Sequence, residues 1–471
     1  MQINPHIFRT YDIRGLNDKD LDTEKMKVIG MAFGTILKQN GQSQCIVGRD
    51  ARLTSPQFAK AVTEGLNATG IAVLDIGLVA SPVFYFSSYH LACGNGMMIT
   101  ASHNPKDFNG CKVTFDYQPF YGENLQKLLE IIQNDSFSVG IDSNQFLPIE
   151  NQQINIYDAY IENVLKNIKL GDKKLKMVID YGNGVGSVVG KKLYENIVGV
   201  GSYPPVNLYE EPDGNFPNHI ADPTIPKNLT DLIAKVAEVN ADFGIAFDGD
   251  ADRIGLVTEK GEIMYGDQIL TILSRQTLEE SPGAKVITEV KASQAVTDDI
   301  VQHGGVPIIW KTGHSLIKSK MKEEGALLAG EMSGHIFFAD RGNNGYDDAM
   351  YAGARIYEIL SKTKETLSQI LATIPKYYAT PELRLECEES KKTETVAKIV
   401  ASFKEKYKVL DIDGARVIFD NGWCLVRQSN TEPVLIARAE GRTEQDLQQI
   451  KKILKTELLK YPEIHFEKEL D

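Results

Sequence analysis

Short runs of apolar residues recur along this chain, each closing abruptly on glycine or polar residues. They are QCIVGRD (44–50), GIAVLDIG (70–77), GMMITAS (96–102), KMVIDYG (176–182), DFGIAFDGD (242–250), AKVITEV (284–290) and ALLAGE (326–331). Apolar residues at consecutive positions over so short a span predict strands buried on both faces. Between them, SPQFAKAVTEGLNATG (55–70) and NLTDLIAKVAEV (228–239) carry apolar residues at three- and four-residue spacing and predict amphipathic helices. The alternation predicts α/β domains with mixed, largely parallel sheets. Towards the C-terminus, ELRLECEES, ARVIFDNGWCLVRQ and PVLIARAEG read as antiparallel strands, followed by a helix over 443–459, the pattern of a smaller α+β domain. Polar or turn-rich stretches at 135–153, after Arg253 and at 374–381 divide the chain into 1–150, 151–254, 255–373 and 374–471.

With 471 residues the chain exceeds what one hydrophobic core supports, in keeping with several domains. No apolar stretch approaches the ~20 residues of a membrane span. The opening MQINPHIFRTYDIRG lacks a basic region followed by an apolar run, so a cytoplasmic location is expected. Cys45, Cys93, Cys111, Cys387 and Cys424 are odd in number and form no C-x-x-C pair, which predicts reduced thiols and neither a disulfide framework nor a zinc site. The formal charge of −13 argues against nucleic-acid binding, and it means that any phosphate ligand must find arginines and lysines gathered locally.

Ligands of open α/β sheets bind at the carboxyl ends of strands, which directs attention to four loops: TASHNP, DGDADR, GEMSGH and RQSNTEP. In the first, a small-residue turn exposes the Ser102 hydroxyl beside His103, with Lys112 a short loop away. A lone serine in such a turn is ordinarily a turn former and nothing more. The neighbouring imidazole and amine are what a nucleophile acting on phosphorus needs. A Ser-His-Asp hydrolase is excluded because the G-x-S-x-G elbow is missing.

In the second loop, Asp248, Asp250 and Asp252 occupy alternate positions of a glycine-softened turn that ends in Arg253. Three converging carboxylates are unfavourable without a cation, and hard oxygen ligands suit Mg²⁺. Asp248, Asp250, Asp252 and Glu259 also fall at positions 1, 3, 5 and 12 of a calcium-binding EF-hand loop. Arg253 at the obligatory glycine position, Leu256 at the ninth position and strand-like flanks reject that reading. Arg427, Ser429, Asn430 and Thr431 offer a guanidinium, hydroxyls, an amide and turn N–H groups of the kind a phosphate binds. Glu331 and Ser333 can bond vicinal hydroxyls, and His335 can carry a proton.

Together these loops, in this order and with FRTYDIRG (8–15), GRDAR (48–52), DGNFPNH (213–219) and KTGHSLIK (311–318), resemble the α-D-phosphohexomutase family. The whole chain is similar to its bacterial phosphomannomutase/phosphoglucomutase branch. The resemblance implies four domains around a central cleft, a phosphorylated Ser102, and Mg²⁺ held beside it by Asp248, Asp250 and Asp252, with Ser102 itself joining the metal site. It implies an enzyme that interconverts hexose 1- and 6-phosphates of mannose and glucose through a hexose 1,6-bisphosphate. His103, Lys112, Arg253 and His335 would then be catalytic. Tyr11, Arg14, Lys291 and His314 would approach sugar or phosphate, Glu331 and Ser333 would read sugar hydroxyls, and Arg427, Ser429, Asn430 and Thr431 would hold the phosphate that is not transferred. Met332 stands where the glucosamine-specific branch usually has glutamine, which favours the neutral hexoses over a phosphoglucosamine mutase. A non-catalytic sugar-phosphate-binding relative is the reading of a different class. Partners are expected to be small sugar phosphates, with neither nucleic acid nor membrane, and the protein to be a monomer or homodimer.

Overall fold

A computed structural model of the chain describes residues 3–138, 150–199, 202–429 and 434–465. The chain divides into two compact units, Met1–Ile269 with Ser333–Ile370, and Leu270–Met332 with Leu371–Asp471.

Among the described residues, two sheets lie wholly in the first unit. In one, Gln44–Arg49 runs parallel to Ala72–Leu78 and to Gly96–Ile99. Phe108–Phe115 then pairs antiparallel with both Gly96–Ile99 and Ile13–Leu16. Helices Thr23–Gln39 and Ser55–Ala68 cover this sheet. Asp22 caps the first of them by accepting Lys25 N–H at 2.8 Å. In the second, Phe58, Ala61, Val62 and Leu66 point inward at helical spacing. Each fully buried large apolar side chain of this core, such as Phe33 or Phe58, contributes about 1.5–3 kcal/mol.

In the other sheet, Val206–Leu208, Met177–Asp180 and Phe243–Phe247 are parallel, and Ile254–Thr258 and Ile263–Met264 add antiparallel neighbours. The expected division after Arg253 thus falls inside a β-hairpin: Phe247 pairs with Ile254 and Phe243 with Thr258. The polar loop that resembled a linker reverses the chain, and the apolar run after it is buried by pairing with the strand before it.

In the second unit, Lys285–Glu289 lies between Val306–Trp310 and Leu328–Gly330, all parallel. Its C-terminal part is an antiparallel sheet of Lys408–Leu410, Ala415–Phe419, Gly422–Gln428, Val434–Gly441, Leu383–Cys387 and Ile464–His465, in that order. Helices Lys392–Lys404 and Glu444–Leu458 pack on it. Arg416, buried with its guanidinium 3.7 Å from the Trp423 ring centroid, donates to Ala292 O at 3.0 Å and ties the two parts of the unit together. All five cysteines are buried and unpaired. Among the described residues no helix is long and apolar enough to cross a membrane.

Candidate active site

Gly96–Ile99 delivers the chain into the serine loop at its carboxyl end. Ser102 has a φ of 50°, a left-handed conformation that a residue with a Cβ holds only when its surroundings impose it. Its N–H donates to Thr100 Oγ1 at 2.9 Å. Its Oγ donates to Asp248 Oδ2 at 2.7 Å and lies 3.0 Å from His103 Nδ1. Burial, reinforced by the charges of Arg253 and Arg14, pushes the His103 pKa well below the usual histidine range, so the ring is neutral. Arg14, from Ile13–Leu16, bonds Asn104 of the same loop and Asp12. Tyr11 is half-buried just ahead of that strand.

The aspartate loop follows the carboxyl end of Phe243–Phe247. Asp248 Oδ1 accepts the N–H groups of Asp252 and Arg253, each at 3.1 Å, which folds the loop around its first residue. Gly249 permits the approach to the serine loop, since a Cβ there would sit 2.6 Å from Ser102 O. Carboxylate oxygens of Asp248, Asp250 and Asp252 lie within 4.8 Å of one another, and all three residues are fully buried.

Lys112, buried on Phe108–Phe115, contacts Asp252 and reaches Asp250 Oδ2 at 2.7 Å. Ser81 Oγ donates to the same oxygen at 2.6 Å. Burial alone would lower the Lys112 pKa, but Asp250 and Asp252 hold it well above the usual range, as a fixed ammonium. Burial, with the like charges of Asp252 and Asp250, raises the Asp248 pKa. Burial would raise Asp250 too, but Lys112 and Ser81 hold it low.

Among the described residues, Asp250 Oδ1 and Asp252 Oδ1 are buried and accept no hydrogen bond, His335 Nδ1 standing off from the latter at 3.5 Å. Two orphaned hard oxygens in a cluster with excess negative charge are the donor set of a divalent cation. Glu259 is not part of it: its carboxylate accepts from Thr366 Oγ1 at 2.7 Å and Ser368 N at 3.2 Å, so the spacing that matched a calcium loop closes on no site.

Arg253 Nε donates to His335 Nε2 at 3.0 Å, and His335 Nδ1 lies 2.8 Å from Asp347 Oδ2 and 3.5 Å from Asp252 Oδ1. A guanidinium can only donate, so Nε2 is the accepting nitrogen and Nδ1 carries the proton toward the two carboxylates. Ser333 is half-buried two residues before this imidazole.

The second unit gathers its own polar group. Glu289, fully buried at the carboxyl end of Lys285–Glu289, accepts Lys291 N–H at 2.7 Å, the Thr312 hydroxyl at 2.8 Å and Met332 N–H at 3.3 Å. Glu331 accepts Gly313 N–H at 2.6 Å, ahead of His314 at the start of helix His314–Glu324. Lys291 pairs with Glu382 at 2.9 Å; burial would depress its pKa, but Glu289 and Glu382 keep it raised. Asp413 Oδ2 takes Arg427 Nε at 2.9 Å and Thr312 N–H at 3.0 Å, joining the arginine of the C-terminal sheet to the loop of His314. Ser429 is buried after Gly422–Gln428, while Asn430 and Thr431 lie outside the described residues.

Models of phosphoglucomutase/phosphomannomutase domains match four consecutive stretches: α/β/α domain I over residues 5–138, domain II over 158–261, domain III over 265–378 and the C-terminal domain over 382–456. The chain belongs to the phosphoglucomutase/phosphomannomutase family. It is 42% identical over 456 residues to a phosphomannomutase/phosphoglucomutase of Pseudomonas putida, covering 96% of each chain. It is 40% identical over 465 residues to a phosphoglucomutase of Neisseria gonorrhoeae, covering 98% of each. A crystal structure of a phosphoglucomutase/phosphomannomutase family protein from Burkholderia thailandensis superposes with a TM-score of 0.90 at 37% identity, over 99% of this chain and 100% of that one. The expected family and the expected architecture of three α/β domains and a C-terminal domain are both borne out.

The site's geometry brings in residues to which the sequence assigned no role. Ser81 and Thr100 bond Asp250, Asp347 orients His335, and Glu289 and Asp413 organise the loops of the second unit. Ser81 lies 169 residues from its partner, a pairing with no local signal in the sequence. Glu289 had a weak signal, as a carboxylate ending a buried parallel strand.

Proposed function

We propose that this chain is a phosphohexomutase that interconverts the 1- and 6-phosphates of mannose and glucose, with Ser102 as the phosphoryl carrier. The observation that carries the reading is the hydroxyl of Ser102, strained at a strand's carboxyl end and hydrogen-bonded to one of three buried aspartates that fit a divalent cation. Asp248, Asp250 and Asp252, with an oxygen on Ser102, would hold Mg²⁺, which supplies charge neutralisation for the transferring group.

Ser102 Oγ, carrying a phosphoryl group, gives it to the free hydroxyl of a hexose monophosphate. One P–O bond breaks at Oγ, which takes up a proton, one forms at the sugar, and the sugar hydroxyl's proton passes to a base. His103, neutral and within reach of Oγ, and His335, oriented by Asp347, are the proton carriers among this chain's residues. Lys112 and Arg253 add fixed positive charge. The resulting hexose 1,6-bisphosphate turns and returns its other phosphate to Ser102.

Tyr11, Arg14, Lys291, His314, Glu331 and Ser333 are assigned to substrate. Arg427, Ser429, Asn430 and Thr431 are assigned to the phosphate that stays. Glu331 and Ser333 reading hydroxyls shared by mannose and glucose would leave position 2 unread and admit both sugars. The soluble sugar phosphates and the acidic chain support a cytoplasmic enzyme with no nucleic-acid partner.

The test is ³¹P NMR of the full chain with Mg²⁺ and a trace of glucose 1,6-bisphosphate, supplied in parallel with mannose, glucose and glucosamine 1-phosphates. Conversion of the first two, lost in Ser102→Ala, is the expected result. Turnover of glucosamine 1-phosphate alone would make the chain a phosphoglucosamine mutase, and no turnover of any would make it a sugar-phosphate binder.

A further inference from the structure

Two motifs singled out in the sequence, GRDAR (48–52) and DGNFPNH (213–219), contribute no group to the chemistry above, yet the fold brings them together directly behind Ser102. Arg52 is 1% exposed. Its Nη2 donates to Ser102 O at 2.7 Å and Asn104 O at 2.6 Å, and its Nη1 donates to Pro105 O at 2.8 Å and Phe108 O at 3.0 Å. Four carbonyl oxygens between Ser102 and Phe108 therefore converge on one guanidinium. Its Nε faces Asp50 Oδ2 at 3.2 Å, and Asp50 is itself fixed by Ser55 Oγ at 2.5 Å.

The other motif covers the guanidinium. The Phe216 ring centroid is 5.3 Å from Arg52. Gly214 lets that segment close in, since a Cβ there would stand 2.6 Å from Ala51 O and from Leu53 N. The same ring borders the metal loop: a Cβ on Gly249 would meet Ser102 O at 2.6 Å and Phe216 Cε1 at 3.8 Å.

Ser102 cannot leave its left-handed conformation without swinging its carbonyl away from Arg52 and Gly249. Only a planar fork of N–H donors can hold four carbonyls of one loop at once; a lysine offers a point charge in place of the fork. We propose that Arg52, covered by Phe216, is a positioning residue for Ser102, aiming Oγ at the aspartate loop by fixing the backbone that carries it. The inference rests on Ser102 being the phosphoryl carrier. In the segment that carries Ser102, Arg52 bonds backbone carbonyls alone, so it acts through Ser102 and not on substrate.

The experiment compares full-length wild type, Arg52→Lys and Phe216→Leu. It measures the rate of Ser102 phosphorylation by glucose 1,6-bisphosphate from intact mass, kcat and KM for glucose 1-phosphate per phosphorylatable site, and thermal melting. Arg52→Lys keeps the charge and loses the fork, so kcat and the phosphorylation rate are expected to fall about 100-fold with KM nearly unchanged, the effect of moving a reacting atom by about 1 Å. Phe216→Leu keeps every Arg52 hydrogen bond and loses the ring face, with an expected fall of about tenfold.

A purely structural role would reduce melting temperature and the number of phosphorylatable sites while leaving the rate per site intact, and that result overturns the inference. If Arg52→Lys does not fold, Phe216→Leu decides, and an unchanged rate per site overturns it. Failure of the wild type to take phosphate at Ser102 would overturn the functional reading and this inference together. A phosphorylated wild type with unimpaired variants overturns the inference alone.

Discussion

Replacing Asp248 by Asn should stabilise the metal-free protein and remove most of its response to Mg²⁺. Asp248 makes its contacts through groups that an amide reproduces: Oδ1 would keep the N–H groups of Asp252 and Arg253 at 3.1 Å, and the amide nitrogen would donate to Ser102 Oγ, which now donates across 2.7 Å. What changes is charge. With its partners' oxygens within 4.8 Å, and an effective dielectric constant of about 20, Asp248 is repelled by each of Asp250 and Asp252 by about 3.5 kcal/mol. Lys112 and Arg253 offset part of that repulsion, leaving a net relief of about 1–2 kcal/mol in Asp248→Asn.

For a unit of this size such a relief raises the melting temperature in chelator by about 1.5–3 °C. Added Mg²⁺ at 100 times its dissociation constant stabilises the wild type by about 2.7 kcal/mol, and a site lacking one of three charged ligands should gain less than half of that. Calorimetry of both proteins, first in chelator and then with Mg²⁺, gives the two numbers. A variant that melts below wild type in chelator, or that gains as much from Mg²⁺, would refute the reasoning.

Three further outcomes are expected. Glu289→Ala leaves two N–H groups and a hydroxyl without their acceptor, so at about 1–3 kcal/mol each the loops of Lys291, His314 and Glu331 lose definition. Initial-rate kinetics should show KM raised at least about tenfold, with Glu289→Gln less affected; equal KM values in all three proteins would contradict the assignment. Asp348, buried against the Tyr160 hydroxyl at 2.9 Å and capping Ala349–Lys362, has its pKa raised to about 7 by burial and by the charge of Asp347. The folded form holds a proton that the unfolded form has released, so stability should fall by about 2 kcal/mol as pH rises from about 5.5 to 7.5. Urea titrations should show that slope flattened in Asp348→Asn, and an identical slope would be the contrary result. Trp423→Leu removes the ring under Arg416 and should destabilise the second unit by about 3 kcal/mol in denaturant unfolding, with a loss below about 1 kcal/mol counting against that packing.

The strands that carry the chemistry were legible because each is buried on both faces and so is written as an unbroken apolar run. Phe243–Phe247 and Lys285–Glu289 lie inside their expected spans for that reason. Ser81–His90 was not, because nearly every side of the helix is buried and SPVFYFSSYH shows no polar stripe. Phe108–Phe115 was hidden by Lys112, a charge that sits in a buried strand only because Asp250 and Asp252 face it. The same logic separates the site residues. Ser102 and the three aspartates declare themselves by local spacing. Arg52 and Asp347 act through partners 50 and 12 residues away, which only the fold brings close.

The central claim, that Ser102 gives its own phosphoryl group to a hexose phosphate, is tested most directly by a label chase. The full chain is loaded with ³²P from labelled glucose 1,6-bisphosphate, the labelled peptide is mapped, and the isolated phosphoprotein is then mixed with unlabelled mannose 1-phosphate and Mg²⁺. The account predicts label on Ser102, absent in Ser102→Ala, and its transfer to the sugar at the rate of turnover. Label that stays on the protein while mannose 6-phosphate accumulates, or that maps to another residue, would contradict it.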